Sequence, residues 1–138
     1  MSYKLGIVGS RVFTTKGGRI WNTKIKNPKQ YVFDHMNKYI KKHGKPSLVV
    51  SGGAKGADQY GVEWARSKNI PVKEYIPDQR LAKITNFRTA ALTRNTDIVN
   101  SSDHIVAFWD KKSTGTLNTL SKAKKAKKKV SYFNIGNK

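Results

Sequence analysis

Short apolar runs and helical stretches take turns along the whole chain, and that alternation restricts the fold more than any other feature. Tyr3 to Val8 is a strand-like run closed by a tight turn at Gly9-Ser10. From Pro28 to His43, Tyr31, Phe33, Met36, Tyr39 and Ile40 recur near helical spacing, and Pro28 suits a first helical turn. Leu48-Val49-Val50 is apolar throughout and bounded by turn residues, the pattern of a strand covered on both faces. Ala57, Tyr60, Gly61, Trp64 and Ala65 share one face over residues 57–68, and Ile70-Pro71-Val72 opens a third strand that ends near Ile76. Residues 81–100 fit one helix with Leu81, Ile84, Ala91, Leu92 and Ile98 inward. Asp103 to Trp109 suits a central strand, 116–128 a helix with Leu117, Leu120, Ala123 and Ala126 inward, and Val130 to Phe133 a fifth strand.

The order βαβαβαβαβ predicts right-handed crossovers and an α/β, three-layer Rossmann-like fold: a mainly parallel five-stranded sheet with helices on both faces. The expectation is a single domain over 1–138, interrupted by a basic loop insertion at about 11–27 that contains Trp21. A loop of that length in a compact domain is usually functional or disordered.

Composition narrows the partners. The 138 residues carry 28 Lys+Arg against 8 Asp+Glu, a formal charge of +20, and no Cys. Without cysteine there is no disulfide scaffold, thiol nucleophile or thiolate metal site, which favours a cytoplasmic setting, a bacterial cell or a phage-infected host. The longest apolar run, Ile105 to Trp109, is far short of the roughly 20 residues that span a bilayer, so no membrane association is expected. Ten cations and a single acid, Asp34, fall within residues 11–45; eight Lys fall within 111–129, and no acid follows Asp110. Such a field attracts polyanions. The excess is mostly Lys, 22 against six Arg, which equally suits a solvated surface.

In an open parallel sheet, ligands sit beyond the carboxyl ends of the strands, where helix N-termini present main-chain amides. Three turns qualify. Ser51-Gly52-Gly53-Ala54-Lys55-Gly56-Ala57-Asp58 lies between a strand and a helix; its glycines admit a close-lying phosphate, and Ser51 and Lys55 add a donor and a charge. No Gly-Lys-Ser/Thr closes it as a P-loop, and Ser51 stands where a dinucleotide fingerprint begins with Gly. Gly9-Ser10-Arg11 ends the first strand, while Trp109-Asp110 and Ser113-Thr114-Gly115-Thr116 follow the fourth. These turns converge if the first, second and fourth strands are neighbours. Arg94 would then supply a guanidinium clamp and Asn95 an amide for a base or ribose edge. Trp109 is a candidate for stacking on a base, and Asp58 could equally cap its helix.

Taken in order, Gly9-Ser10-Arg11, the turn 51–58, Arg94-Asn95, Ala107-Phe108-Trp109-Asp110 and Ser113 to Thr116 resemble the SLOG superfamily over about residues 3–133, most closely its small YspA-like branch in bacteria and phages. The superfamily also includes DprA and the lonely-guy phosphoribohydrolases. The resemblance implies a Rossmann-like domain that takes a nucleotide or nucleotide-derived ligand at the matching glycine turns, with no further cofactor required. Lonely-guy enzymes carry Gly-Gly-x-Gly-Thr-x-x-Glu; here Gly115-Thr116 is kept but Thr119 replaces the Glu. General acid–base work then falls to Asp58, Asp110, Asp78 or Glu74, none of them paired, so no catalytic residue is assigned.

Three functions remain: a sensor or sequestering protein for a nucleotide, a DprA-like single-stranded DNA binder aided by Lys-rich surfaces, and a nucleoside-monophosphate phosphoribohydrolase. The first is preferred because polar turns specify a compact pocket, whereas excess Lys is unspecific. A homo-oligomer is compatible with the sequence. His35, His43 and His104 lack metal-ligand spacing, and His104 and Trp64 suit the interior.

Overall fold

A computed structural model describes residues 3–9, 15–16, 19–20, 27–52, 57–76, 79–109, 111 and 114–135. Their elements are β1 (Lys4–Gly9), β2 (Thr15–Lys16), β3 (Arg19–Ile20), α1 (Pro28–His43), β4 (Leu48–Ser51), α2 (Ala57–Ser67), β5 (Val72–Glu74), α3 (Gln79–Ile84), α4 (Phe87–Asn100), β6 (His104–Trp109), α5 (Thr114–Lys125) and β7 (Lys129–Asn134). Five strands form one sheet in the order β5-β4-β1-β6-β7, and every pairing in it is parallel. This is the Rossmann arrangement, with the chain winding outwards from β1 in both directions. Within the expected loop 11–27, β2 and β3 pair antiparallel, Thr15 opposite Ile20.

Strand alternation divides the core into two layers. Leu5, Ile7, Val49, Val106 and Phe108 face α1 and α2, where Val32, Met36, Tyr39, Trp64 and Ala65 meet them. Val8, Val50, Ile105 and Ala107 face α4 and α5, where they meet Ile98, Val99, Leu120 and Ala123. Gly61 lets α2 lie against β1: a Cβ there would come within 2.6 Å of Ile7 Cγ2 and 3.1 Å of its Cβ. On the opposite face, α5 is tied to α4 by Lys122, whose ammonium donates to the Leu92 carbonyl at 2.7 Å and to Thr96 Oγ1 at 2.6 Å. Burial lowers the pKa of Lys122, and the nearby Asp97 opposes that shift.

Two expectations need correction. The helix foreseen over 81–100 is two helices, because the Asn86 side chain accepts the Thr89 N–H at 2.8 Å and starts α4 afresh, while Thr85 Oγ1 bonds back to the Leu81 carbonyl at 2.7 Å. Ile84, placed inward by helical periodicity, is therefore 82% exposed at the end of α3, and Ala90, Asn95, Ile98 and Val99 are the buried positions of α4. The last helix starts at Thr114 rather than Thr116 and stops at Lys125, leaving Leu117 and Ala126 exposed.

A line of rings runs along α1 from the carboxyl side of the sheet to its amino end. Tyr31, His35, Tyr39 and His43 follow each other at intervals of four along α1, a single line on the helix surface. His35 meets Phe133 with centroids 4.5 Å apart, and its Nδ1 donates to the Tyr31 carbonyl. His104 stacks on Tyr3 at 4.3 Å, shares a 2.9 Å hydrogen bond with the Tyr39 hydroxyl and stands 5.8 Å from His43. Lys129 donates to His43 Nδ1 at 3.3 Å. Burial, with a smaller contribution from Tyr3, pushes the Tyr39 phenol up to about 12. Burial, then Lys129 and His43, hold His104 below the ordinary imidazole value of 6.5 against an opposing pull from Asp103.

Because the folded chain disfavours protonated His104, the unfolded chain takes up the proton more readily. Stability is thus complete above about pH 6.5 and declines as the pH falls below it towards the folded-state value. Urea unfolding at pH 7.5 and 5.5 is expected to give a lower midpoint at 5.5, with a smaller pH difference in His104→Gln. Gly61→Ala is expected to lose about 1–3 kcal/mol in the same assay, overpacking outweighing the roughly 1 kcal/mol gain in helix propensity.

Candidate functional site

With β1, β4 and β6 adjacent and parallel, their carboxyl ends, Gly9, Ser51 and Trp109, lie along one edge of the sheet. Gly9 pairs with Phe108, which places the first turn beside the exit of β6. The same edge receives the first turns of α2 and α5, since each helix starts only a few residues beyond its strand. Two helix N-termini therefore share this rim, each with amides left unpaired by the helix and a partial positive charge.

Gly52 is its fixed point. Its N–H donates to Asp58 Oδ2 at 3.2 Å, from the first turn of α2, and its carbonyl accepts from Arg94 Nη1 at 2.6 Å, from α4. The two groups reach the peptide from helices on opposite faces of the sheet. A Cβ at residue 52 would lie 2.7 Å from Arg94 Nη1 and 2.9 Å from Asp58 Oδ2, so any side chain displaces the groups that hold the backbone. Ser51, fully buried, donates from Oγ to the Asp58 carbonyl at 3.5 Å.

The network continues across the rim. Arg94 Nε donates to Asn95 Oδ1 at 3.1 Å, and Asn95 Nδ2 donates to the Gly115 carbonyl at 3.4 Å and Asn118 Oδ1 at 3.3 Å. Thr119 Oγ1 reaches the same Gly115 carbonyl at 3.3 Å. One chain of hydrogen bonds thus runs from α2 through the end of β4 and α4 to α5. Among the described residues, no buried side-chain nitrogen or oxygen lacks a partner.

The structure gathers Gly9, Ser51, Gly52, Asp58, Arg94, Asn95, Trp109, Thr114, Gly115 and Thr116 along this edge or in the bonds that support it. Arg94 and the buried Asn95 make the bonds that brace the rim. Asp58 likewise bonds to the peptide of the turn. Thr114 and Gly115 are exposed and Thr116 is buried; a Cβ on Gly115 would meet nothing within 4 Å. Trp109 is half-buried against the α4–α5 layer. Ser10, Arg11, Trp21, Gly53, Ala54, Lys55, Gly56, Asp78, Asp110 and Ser113 lie outside the described residues. Asn118, which the sequence reading passes over, joins the network through helical spacing from Thr114-Gly115. Among the described residues, no group of three His, Asp or Glu could hold a metal ion, and no helix is long and apolar enough to cross a membrane.

A family model for the YspA, cpYpsA-related SLOG family (YAcAr) matches residues 9–81, just over half of the chain, from the end of β1 to the start of α3. The chain belongs to this SLOG family. Among solved structures, this SLOG protein is similar to DNA processing protein A (DprA) from Streptococcus pneumoniae. The TM-score is 0.66 and the identity 19%, over 95% of this chain and 50% of that one. At that identity the likeness is one of fold, and the SLOG chain spans about half the length of the DprA chain. No curated protein matches it.

Arg94→Met keeps the length of the side chain but leaves the Gly52 carbonyl without its guanidinium. A loss of about 1.5–3 kcal/mol is expected in denaturant unfolding. Arg94→Lys should recover only part of it, since an ammonium lacks the planar fork that reaches Gly52 and Asn95 together.

Proposed function

We propose that this SLOG protein binds a nucleotide or nucleotide-derived small molecule at the carboxyl rim of its sheet, its phosphate facing the N-termini of α2 and α5. The observation that carries this reading is the hydrogen-bonded brace from Asp58 through Gly52, Arg94 and Asn95 to Gly115, which joins those two helix ends. Amides fixed before the ligand arrives cost little to reorganise, and an anion at a helix N-terminus also gains from the macrodipole. The family assignment and the overall charge of +20 agree with an anionic ligand.

Binding without cleavage fits the position where lonely-guy enzymes carry a Glu. Thr119 stands there, 2% exposed, and its hydroxyl donates within the helix to Gly115. It holds no proton-transfer group for a glycosidic bond. The biological role we propose is sensing or sequestration of a host nucleotide, in keeping with the phage-borne relatives that the sequence resembles.

A panel of mono- and dinucleotides followed by thermal unfolding tests the reading. A true ligand stabilises the native state by RT ln(1 + [L]/Kd), about 2.7 kcal/mol at one hundred times Kd. Gly115→Val separates ligand contact from folding, because its Cβ enters open space. The variant is expected to fold with nearly unchanged stability while losing the ligand-induced shift. A melting temperature that no nucleotide moves, or a Gly115→Val that responds like the parent, would count against binding at this rim.

A further inference from the structure

We propose that the face formed by α5 and β7, leading away from the rim, is a track for single-stranded nucleic acid, with Tyr132 as its stacking platform. The inference shares Trp109 with the rim and otherwise stands on residues outside the crevice.

Among the described residues β7 is an edge strand, paired with β6, and Tyr132 is 46% exposed on it. Its register opposite Ala107 places it on the α4–α5 side of the sheet, beside Trp109. Trp109 meets the Tyr132 ring edge-on at 5.7 Å and 76°, and Lys111 Nζ lies 5.8 Å from the ring centroid. Lys111 takes a left-handed backbone conformation, φ 64°. An exposed ring, propped by a second aromatic and flanked by a cation, offers a base both a π-face and a charge for its phosphate. At the far end of α5, about 18 Å from its first residue, the helix ends in exposed Lys124 and Lys125, followed by exposed Lys127.

Charge type and shape select the partner. From Lys111 to Lys138 every cation is Lys and there is no acid. These cations are point charges suited to phosphates, not the Arg forks that read base edges in a duplex groove. A duplex keeps its bases stacked inside and gives Tyr132 nothing to receive, whereas a single strand presents them. The partner is therefore a single strand bound with little sequence preference.

Fluorescence anisotropy of the full chain with a labelled oligothymidylate of about a dozen nucleotides, and with a duplex of equal length, tests this. The strand is expected to bind tighter than the duplex, with affinity falling as salt rises. Tyr132→Ala should weaken strand binding about fivefold or more while Tyr132→Phe keeps it. Replacing Lys124, Lys125 and Lys127 together by Gln should weaken binding and flatten the salt dependence. The same change at the exposed Lys38, Lys41 and Lys42 on α1, across the sheet, should leave affinity within about twofold.

Equal losses from the two triple variants would mean bulk attraction to a basic surface and overturn the track. So would equal affinity for duplex and strand, or Tyr132→Ala binding like the parent. A nucleotide-induced melting shift retained in Tyr132→Ala would show the crevice intact, so failure of the track and failure of the crevice are told apart.

Discussion

The peptide at Gly52 is held by a carboxylate on one side and a guanidinium on the other, and the rest of the rim depends on that double grip. A buried peptide must satisfy both its N–H and its C=O, and β4 has already passed its last ladder residue at Ser51. Asp58 and Arg94 supply the missing partners with charged groups, whose hydrogen bonds are stronger than neutral ones. Each partner belongs to a different helical layer, so the grip also fixes where α2 and α4 stand relative to the strand between them. Asn95 extends the same constraint to α5, leaving the two helix ends with little freedom to drift apart.

The two ends of the sheet divide the labour. At the amino end, tyrosines, histidines and Lys129 interlock through ring contacts and hydrogen bonds, and neutral imidazole is the favoured form. That end joins α1 to the first residues of β6 and β7. Among the described residues of the carboxyl end, Asp58, Arg94 and Asn95 bond to the backbone of Gly52 and Gly115 and to one another. Both arrangements follow from the same parallel topology, because every strand begins at one edge and ends at the other.

Much of this is legible in the sequence where a period is strong. Leu48-Val49-Val50 and Ile105 to Phe108, apolar without alternation, point to strands covered on both sides, and both are central. The adjacency of β1, β4 and β6, on which the meeting of the three turns depends, is a condition in the sequence and is met in the folded sheet. The break at Thr85-Asn86 escapes periodicity because Ile84 fits the helical face, and the deciding contact is a local cap. Leu117 escapes for a related reason: moving the start of α5 to Thr114 does not turn that leucine inward, and Thr116 and Thr119 take the buried positions instead. The roles of Arg94 and Asn95 are hidden more deeply, since their partners are 42 and 20 residues away and only the folded sheet brings them within reach. The line of rings on α1 is visible at intervals of four, but its purpose appears only once β6 and β7 lie beneath it.

The position of β1 also bears on how the protein comes into being. β1, the first of these five strands in chain order, is the centre of the sheet, and one of its neighbours, β6, starts with His104, which pairs with Leu5. During synthesis β1 can join β4 once residue 50 or so has emerged, yet its other side stays unpaired until β6, ending at Trp109, has also emerged. Distant pairings of this kind slow folding and leave apolar strand edges uncovered in the interval. The chain's abundant lysines, which discourage edge-to-edge aggregation, act against that exposure over the interval.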